Sequence, residues 1–546
     1  MAKRLKRDYP YRVLASAVQG AQSPGAAKRY GKDGSLGAPC MPLVRSLEQY
    51  SSDTGGELMF LATQGSYAGE IDLDPFFHDR EDVYMNSKRY NKLKADRRSE
   101  FPQIRKNGGT SSHFWEISNH KYATFTDLTL NENLSIFLRP NPSQNRDPLA
   151  AAMDLPRYFG KSVVFPATKQ RLAPAPKNLG EKTPHLVLTT GCCNLPNYNG
   201  TNDRGDRAFR DHVLGCAVID VVDDNIYLPR LAKANAKGTL FDLGIKYVSG
   251  KDPKKAEAIA LVAGDLHIPF HHQKSLDSTI EMANLLEVRE VIIGDIIDFL
   301  TIAHWNWDDA LHAMALAKIG LTRLEDEAKI GYDVTKYIAE RIAPAKLLIT
   351  HGNHDDFVIK YLKNGRHFRG GDALLNGRFC NGVLNRMGYG GLSSTSVDEF
   401  LSKREGLVRT LTTPNAVKAC LEEIGTLPEN VDFLNLGDDH RHWGIQTGAH
   451  GHKGPRGTRG NLKNHISGFG KATIGHTHQL EEKDGSISVS TLCHPLPYEE
   501  GQPSVLVRGN AAIYEGGLQQ AIPMIGDDAV WATEDHKKML RDLKKK

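Results

Sequence analysis

The chain has 546 residues, more than one hydrophobic core accommodates, so two or three domains are expected. Its 69 basic and 65 acidic residues leave a net charge of +4, which permits a polyanionic partner without demanding one. No apolar run reaches the roughly 18 residues of a membrane span and no secretory leader is evident; the seven cysteines, an odd number that includes adjacent Cys192 and Cys193, read against a disulfide framework and for a reducing cytoplasm.

Residues 1 to 40 are rich in Gly, Ala, Ser and basic side chains, with Lys3, Arg4, Lys6 and Arg7 at the start, and read as a flexible basic arm. Residues 41 to 250 read as an N-terminal α+β domain of unknown role. Strands are expected over 58 to 61, 185 to 190 and 214 to 222, and the stretch from 210 to 220 should end a helix and begin a strand. His212 within it reads as structural. A charged link at 251 to 255 separates this region from the next.

From residue 256 onwards, runs of β-formers lead into short clusters of chemically active residues. Residues 259 to 263 precede Asp265-Leu-His267, and 291 to 293 precede Gly294-Asp295-Ile-Ile-Asp298. Trp305 and Trp307 follow, placed either to stack on bases or to pack on a helix. One long amphipathic helix or two is expected over 309 to 341. Residues 347 to 350 lead into Gly352-Asn353-His354-Asp355. An insertion at 357 to 440, with the cations Lys360, Lys363, Arg366 and Arg369, a glycine-rich stretch at 388 to 391 and a helix over 397 to 409, would cap a site or provide an oligomer contact.

The fourth cluster, Gly448-Ala-His450-Gly451, has no such strand before it, whereas residues 471 to 474 precede the fifth, Gly475-His476-Thr-His478. Between them lies an acid-free segment carrying Lys453, Arg456, Arg459 and Lys463, whose glycines would let amides approach phosphates. Strands are expected again at 487 to 491 and 505 to 507, and residues 526 to 546 read as a basic tail ending in three lysines.

Imidazole, carboxylate and amide side chains at successive strand ends are the donors that two adjacent divalent ions require. Asp265 and His267 alternate along an extended segment and would reach one ion together. Asp295, beside a glycine that permits a tight exit, is the natural bridge, and His476 and His478 should face one ion each. This donor set suits Mn, Fe, Zn or Ni, and geometry alone does not choose among them. A water shared by two cations becomes a hydroxide nucleophile near neutral pH, His354 would protonate the leaving oxygen, and Asp298 would orient it or cap a helix.

The motifs D-x-H, G-D-x-x-D, G-N-H-D and G-H-T-H over residues 256 to 500 resemble the calcineurin-like metallophosphoesterases. The resemblance implies an α/β fold, a two-sheet sandwich flanked by helices, over residues 256 to 525. It implies that Asp265, His267, Asp295 and His478 hold one metal and Asp295, Asn353, His450 and His476 the other. His450 is preferred to His452 because the family has glycine after that ligand. His354 resembles the general acid and Asp298 the carboxylate that orients it. Asp298-Phe299 and the Asp after His354 differ from the protein-phosphatase branch, whereas the run from Thr350 to Asp356 is similar to the Mre/SbcD nuclease group.

The organisation, with His212-Val-Leu-Gly215 followed by a short strand, also resembles virulent bacteriophage proteins, among them a pre-early siphophage protein that takes part in degrading host DNA. The expectation is a manganese-dependent DNA nuclease, cytoplasmic, with DNA as partner, no membrane, and an oligomer contact through the N-terminal domain or the insertion. A phosphodiesterase or phosphatase for nucleotides or phosphoproteins is the alternative. A DNA-binding or assembly protein with a secondary phosphoesterase domain is a second.

Overall fold

The computed structural model describes residues 3–4, 8–19, 39–63, 83–84, 128–137, 147–150, 152–176, 185–196, 198, 203–388, 415–496 and 506–545. Residues 389–391 of the expected glycine-rich stretch, the helix expected at 397–409 and most of the expected arm lie outside them. Among the described residues the fold is mixed α/β, with three mixed sheets and eleven α-helices.

The six-stranded sheet positions the clusters. Its order is Val431–Leu434, Lys346–Thr350, Glu290–Gly294, Ala258–Val262, Gly509–Tyr514 and Leu518–Pro523; the first four run parallel and the last two antiparallel. Parallel strands need crossovers, and the helices Gln273–Leu286 and Leu324–Ile342 supply two of them. The sequence expected one helix or two over 309 to 341; there are two, Ala310–Lys318 and Leu324–Ile342.

Alternation along these strands divides the interior into two cores. Val291, Ile293, Leu347 and Ile349 join helix residues Leu276, Leu324 and Ile338 on one face. Ile292, Leu348, Ala260 and Val262 join Ile445, Leu480 and Ile487 of the eleven-stranded sheet on the other. Burial on both faces explains why these strands are apolar throughout. Truncating one such side chain to Ala would cost about 2–5 kcal/mol.

The N-terminal region shares these cores. Its eight-stranded sheet places Tyr11–Gln19 between Gly215–Val221 and Glu57–Thr63, with Val13, Leu14, Ala15, Ala17 and Val18 fully buried. The expectation of a flexible arm is therefore wrong for residues 11–19: the alternating apolar run after Pro10 builds an interior strand. The charged link at 251 to 255 ends in an edge strand, Lys254–Lys255, of that same sheet. The eleven-stranded sheet crosses the link, since Leu172 pairs with Glu482, and Lys233 Nζ lies 2.6 Å from Glu482 Oε1.

Two further segments differ from expectation. Residues 526–546 are not a tail: Trp531 is buried, Thr533 caps the helix Glu534–Lys544, and Leu540 enters the core. The strand expected at 505 to 507 is absent from 506–507 and begins instead at Gly509. The described part of the expected insertion is helical up to Ile424, where Phe379, Cys380, Val417 and Leu421 pack into the larger core, but its last part supplies Val431–Leu434, an edge strand of the six-stranded sheet. All seven cysteines are free and buried, and among the described residues no helix is long and apolar enough to cross a membrane.

Candidate metal centre

Three of the clusters leave the C-terminal ends of neighbouring parallel strands, Ala258–Val262, Glu290–Gly294 and Lys346–Thr350. The fifth leaves Lys471–Ile474 of the eleven-stranded sheet. The fourth is tied to the fifth by the Gly475 amide, which donates to His450 O at 2.8 Å. All five therefore converge where two sheets meet.

The side chains collect into two sets, Asp265 with His267 and His478, and Asp295 with His450 and His476; donor atoms within each set lie within 4.8 Å of one another. His267 Nε2 and His478 Nε2 face each other at 3.0 Å. His450 Nε2 lies 2.9 Å from Asp295 Oδ2, and His450 Nδ1 lies 3.7 Å from Asp265 Oδ1, which joins the sets. Asn353 Oδ1 lies 2.8 Å from His476 Nδ1. The ligand sets the resemblance implies would add Asp295 to the first group and Asn353 to the second.

Buried polar atoms without partners cost free energy. Asp265 Oδ1, His267 Nδ1 and His450 Nδ1 are such atoms. Burial and the Asp295 charge raise the pKa of Asp265 against the pull of His450. Burial would raise Asp295 as well, but the charges of His450 and His354 override it and hold Asp295 well below the usual carboxylate range. Two clustered carboxylates among imidazoles, with unmet donors and acceptors, fit a pair of divalent cations.

Glycines make the close approaches possible. A Cβ on Gly352 would stand 1.8 Å from Asp295 Oδ1, one on Gly475 2.2 Å from Asp265 Oδ1, and one on Gly294 2.3 Å from His450 Nδ1. The expected role of Gly294 as the tight exit is thus corrected: it leaves room for His450, and Asp295 itself takes the left-handed conformation, with φ 39°. His267, His476 and His478 do likewise, with φ 46°, 67° and 54°. Asp265 and His267 therefore reach one place through a left-handed turn, not through alternation along an extended segment. Strain of this kind persists where surrounding structure enforces it.

His354 lies beside the sets, at the start of the helix Asp355–Lys363. Its amide donates to Asp295 Oδ1 at 3.2 Å. Its Nδ1 lies 2.7 Å from both Oδ1 and the backbone oxygen of Asp298. Burial opposes its charge, but the Asp295 and Asp298 carboxylates prevail and raise its pKa to about 10. Asp298 thus contacts the His354 ring and caps no helix.

Several contributors were not singled out from the sequence. Glu327, fully buried, accepts from the amides of Leu300 and Thr301 and from the Thr301 hydroxyl, clamping the turn just after Asp298. His351, Asp356 and His452 form another group beside the third cluster. The His452 ring lies 5.6 Å from that of His450, which falls in the group with Asp295 and His476. The doublet Asp355-Asp356 and His351, flanking the third motif, were the available signal.

The basic segment is folded: Lys453 bridges Arg459, and Leu462–Phe469 is a helix. Arg456, Arg459 and Lys463 are exposed, while Lys453 Nζ lies 3.3 Å from Asp356 Oδ2. Burial, then the charge of His450, lowers the pKa of His476 to about 4. Trp307 donates to Ile302 O and lies under Arg366, so it packs. Trp305 is 53 % exposed and stands edge-on to Phe357, whose ring is 4.7 Å from that of His354. His212 is structural, bonded to Tyr198 and Asn194 O.

No protein-family model matches the chain. Among curated proteins, Protein A1 of Escherichia phage T5 is similar, with 22 % identity over 300 residues, covering 54 % of this chain and 50 % of that protein. The chain thus spans about half the length of the curated relative it matches.

Proposed function

We propose that this chain is a metal-dependent phosphoesterase with the sandwich and chemistry of the calcineurin-like group, acting as a DNA nuclease in phage infection. The observation that carries the reading is the gathering of side chains from four of the five clusters into two adjoining donor sets, with Asp295 and Asp265 at their junction and Asn353 of the third cluster 2.8 Å from His476 Nδ1. The similarity to a phage protein supports the setting. The exposed Arg456, Arg459 and Lys463, in the segment between the fourth and fifth clusters, support a polyanionic substrate over a small ester.

Asp265, His267, Asp295 and His478 would hold one divalent ion, and Asp295, Asn353, His450 and His476 the other. Two such ions supply charge neutralisation on phosphate oxygens and an activated water. His354 holds a proton at Nε2, because Asp298 occupies Nδ1 and the two carboxylates favour the imidazolium. It would give that proton to the departing oxygen. The basic helix and turn from Lys453 to Lys463 would track the strand, and Trp305 would stack on a base.

The test offers the purified chain, with Mn²⁺, circular plasmid, linear duplex, single strands and a small aryl phosphate ester. Metal-dependent cleavage of DNA is expected. Hydrolysis of the aryl ester alone would remove the nuclease reading, and hydrolysis of nothing would favour a binding role.

A further inference from the structure

A second group of metal-ligating side chains lies away from this centre. Glu290 opens the strand Glu290–Gly294, at the end opposite Asp295. A five-residue strand at about 3.3 Å per residue puts roughly 16 Å between the two ends. His440 and His442 come from the strand Arg441–His442 and the residue before it, in the eleven-stranded sheet. Their alternate spacing places both rings on one face, 4.9 Å apart and edge to face.

Both Nε2 atoms are directed at one carboxylate oxygen: His440 Nε2 lies 2.8 Å from Glu290 Oε1, and His442 Nε2 also contacts it. The three donors lie within 4.8 Å of one another and are partly accessible, with 27 %, 14 % and 12 % of the side chains of His440, His442 and Glu290 exposed. Ligand atoms on a tetrahedral zinc with bonds of about 2.0–2.1 Å stand about 3.3 Å apart, so an ion would need the carboxylate to withdraw about half an ångström from His440 and further from His442, which is closer to it. Arg441 is occupied by Asp439, 2.6 Å away, so it does not supply a competing charge to Glu290.

We infer that Glu290, His440 and His442 form a separate mononuclear site for a zinc-like divalent ion, with water completing the coordination. Two imidazoles and one carboxylate suit zinc, cobalt or nickel over magnesium or calcium. The site braces the metal centre from behind. His440 O accepts the amides of Thr447 at 2.9 Å and Gly448 at 3.2 Å, and the chain reaches His450 two residues later. Glu290 anchors the strand that ends at Asp295. One ion would thus pin two segments that deliver ligands to the other site.

The test uses the full chain, stripped with chelator and titrated with Co²⁺, reading bound equivalents by elemental analysis and the visible cobalt bands. Asp295→Asn, which disturbs only the central site, should keep one tightly bound equivalent with its spectrum. Glu290→Gln and His442→Ala should each bind one equivalent fewer than the unmodified chain. An Asp295→Asn protein whose cobalt is undiminished by adding Glu290→Gln overturns the inference, as does equal stoichiometry in Glu290→Gln and the unmodified chain. If His442→Ala does not fold, the near-isosteric Glu290→Gln carries the comparison. Because the readout is bound metal, absence of nuclease activity leaves the result unaffected.

Discussion

At the residue scale, the candidate donors that converge were legible from spacing, and their backbone conformation was not. D-x-H and G-H-T-H announce donors, but nothing in those letters says that His267, His476 and His478 adopt positive φ. The glycines were visible, but their purpose is a matter of contact. Gly352→Ala places a methyl group 1.8 Å from Asp295 Oδ1. Manganese affinity should fall roughly ten- to hundredfold, as when ligand orientation is disturbed, with little change in the far-ultraviolet spectrum; calorimetric titration reads it. His354→Ala should lower kcat about 10²- to 10⁴-fold while the metal content of the unmodified chain is retained. Retained turnover would refute the assignment of His354 as the acid.

At the element scale, strands leading into the clusters were readable because β-former runs ended in glycine or polar residues. The helix Glu534–Lys544 was not, because its lysines and Arg541 together outnumber its apolar residues and only Leu540 is a fully buried apolar one. Its start signal, Thr533 followed by Glu534 and Asp535, was present. Glu327 was hidden for another reason: a carboxylate in an amphipathic helix reads as solvent-facing, and only the fold shows the turn it clamps. Glu327→Ala leaves the Leu300 and Thr301 amides unpaired. A loss of about 1–3 kcal/mol for each amide is expected in urea unfolding, with reduced kcat as the turn bearing Asp298 loosens. Unchanged stability would show that water replaces the clamp.

At the scale of the whole molecule, residues 251 to 255 read as a charged link between two regions, but the contacts crossing it were not legible, since pairing between distant strands leaves no local signal. Arg230, fully buried, lies 2.7 Å from Asp220 Oδ2 and 2.8 Å from Asp242 Oδ1, and Asp242 also accepts from Gln520 of the six-stranded sheet. Removing one member of such a network typically costs about 3–5 kcal/mol. His536, from the C-terminal helix, bonds to Leu243 O beside it, and burial, Arg230 and Arg12 lower its pKa to about 4. The unfolded chain binds a proton on this histidine near pH 6.5, the folded chain only near 4. Between those values the unfolded state holds more protons, so stability rises with pH and is lost as pH falls through that window. Asp220 and Asp242 are held low by Arg230, so their contribution persists to lower pH and disappears only below the ordinary carboxylate range. His354 and His450, raised above the usual imidazole value, bind protons more readily when folded and oppose the trend. The comparison that isolates His536 is therefore the unmodified chain against His536→Gln, whose amide can still reach Leu243 O. Urea unfolding from pH 7.5 to 4.5 should show the unmodified chain losing up to about 3 kcal/mol more than the variant. Parallel pH profiles would mean that this histidine is not what joins acid sensitivity to the junction of the two regions.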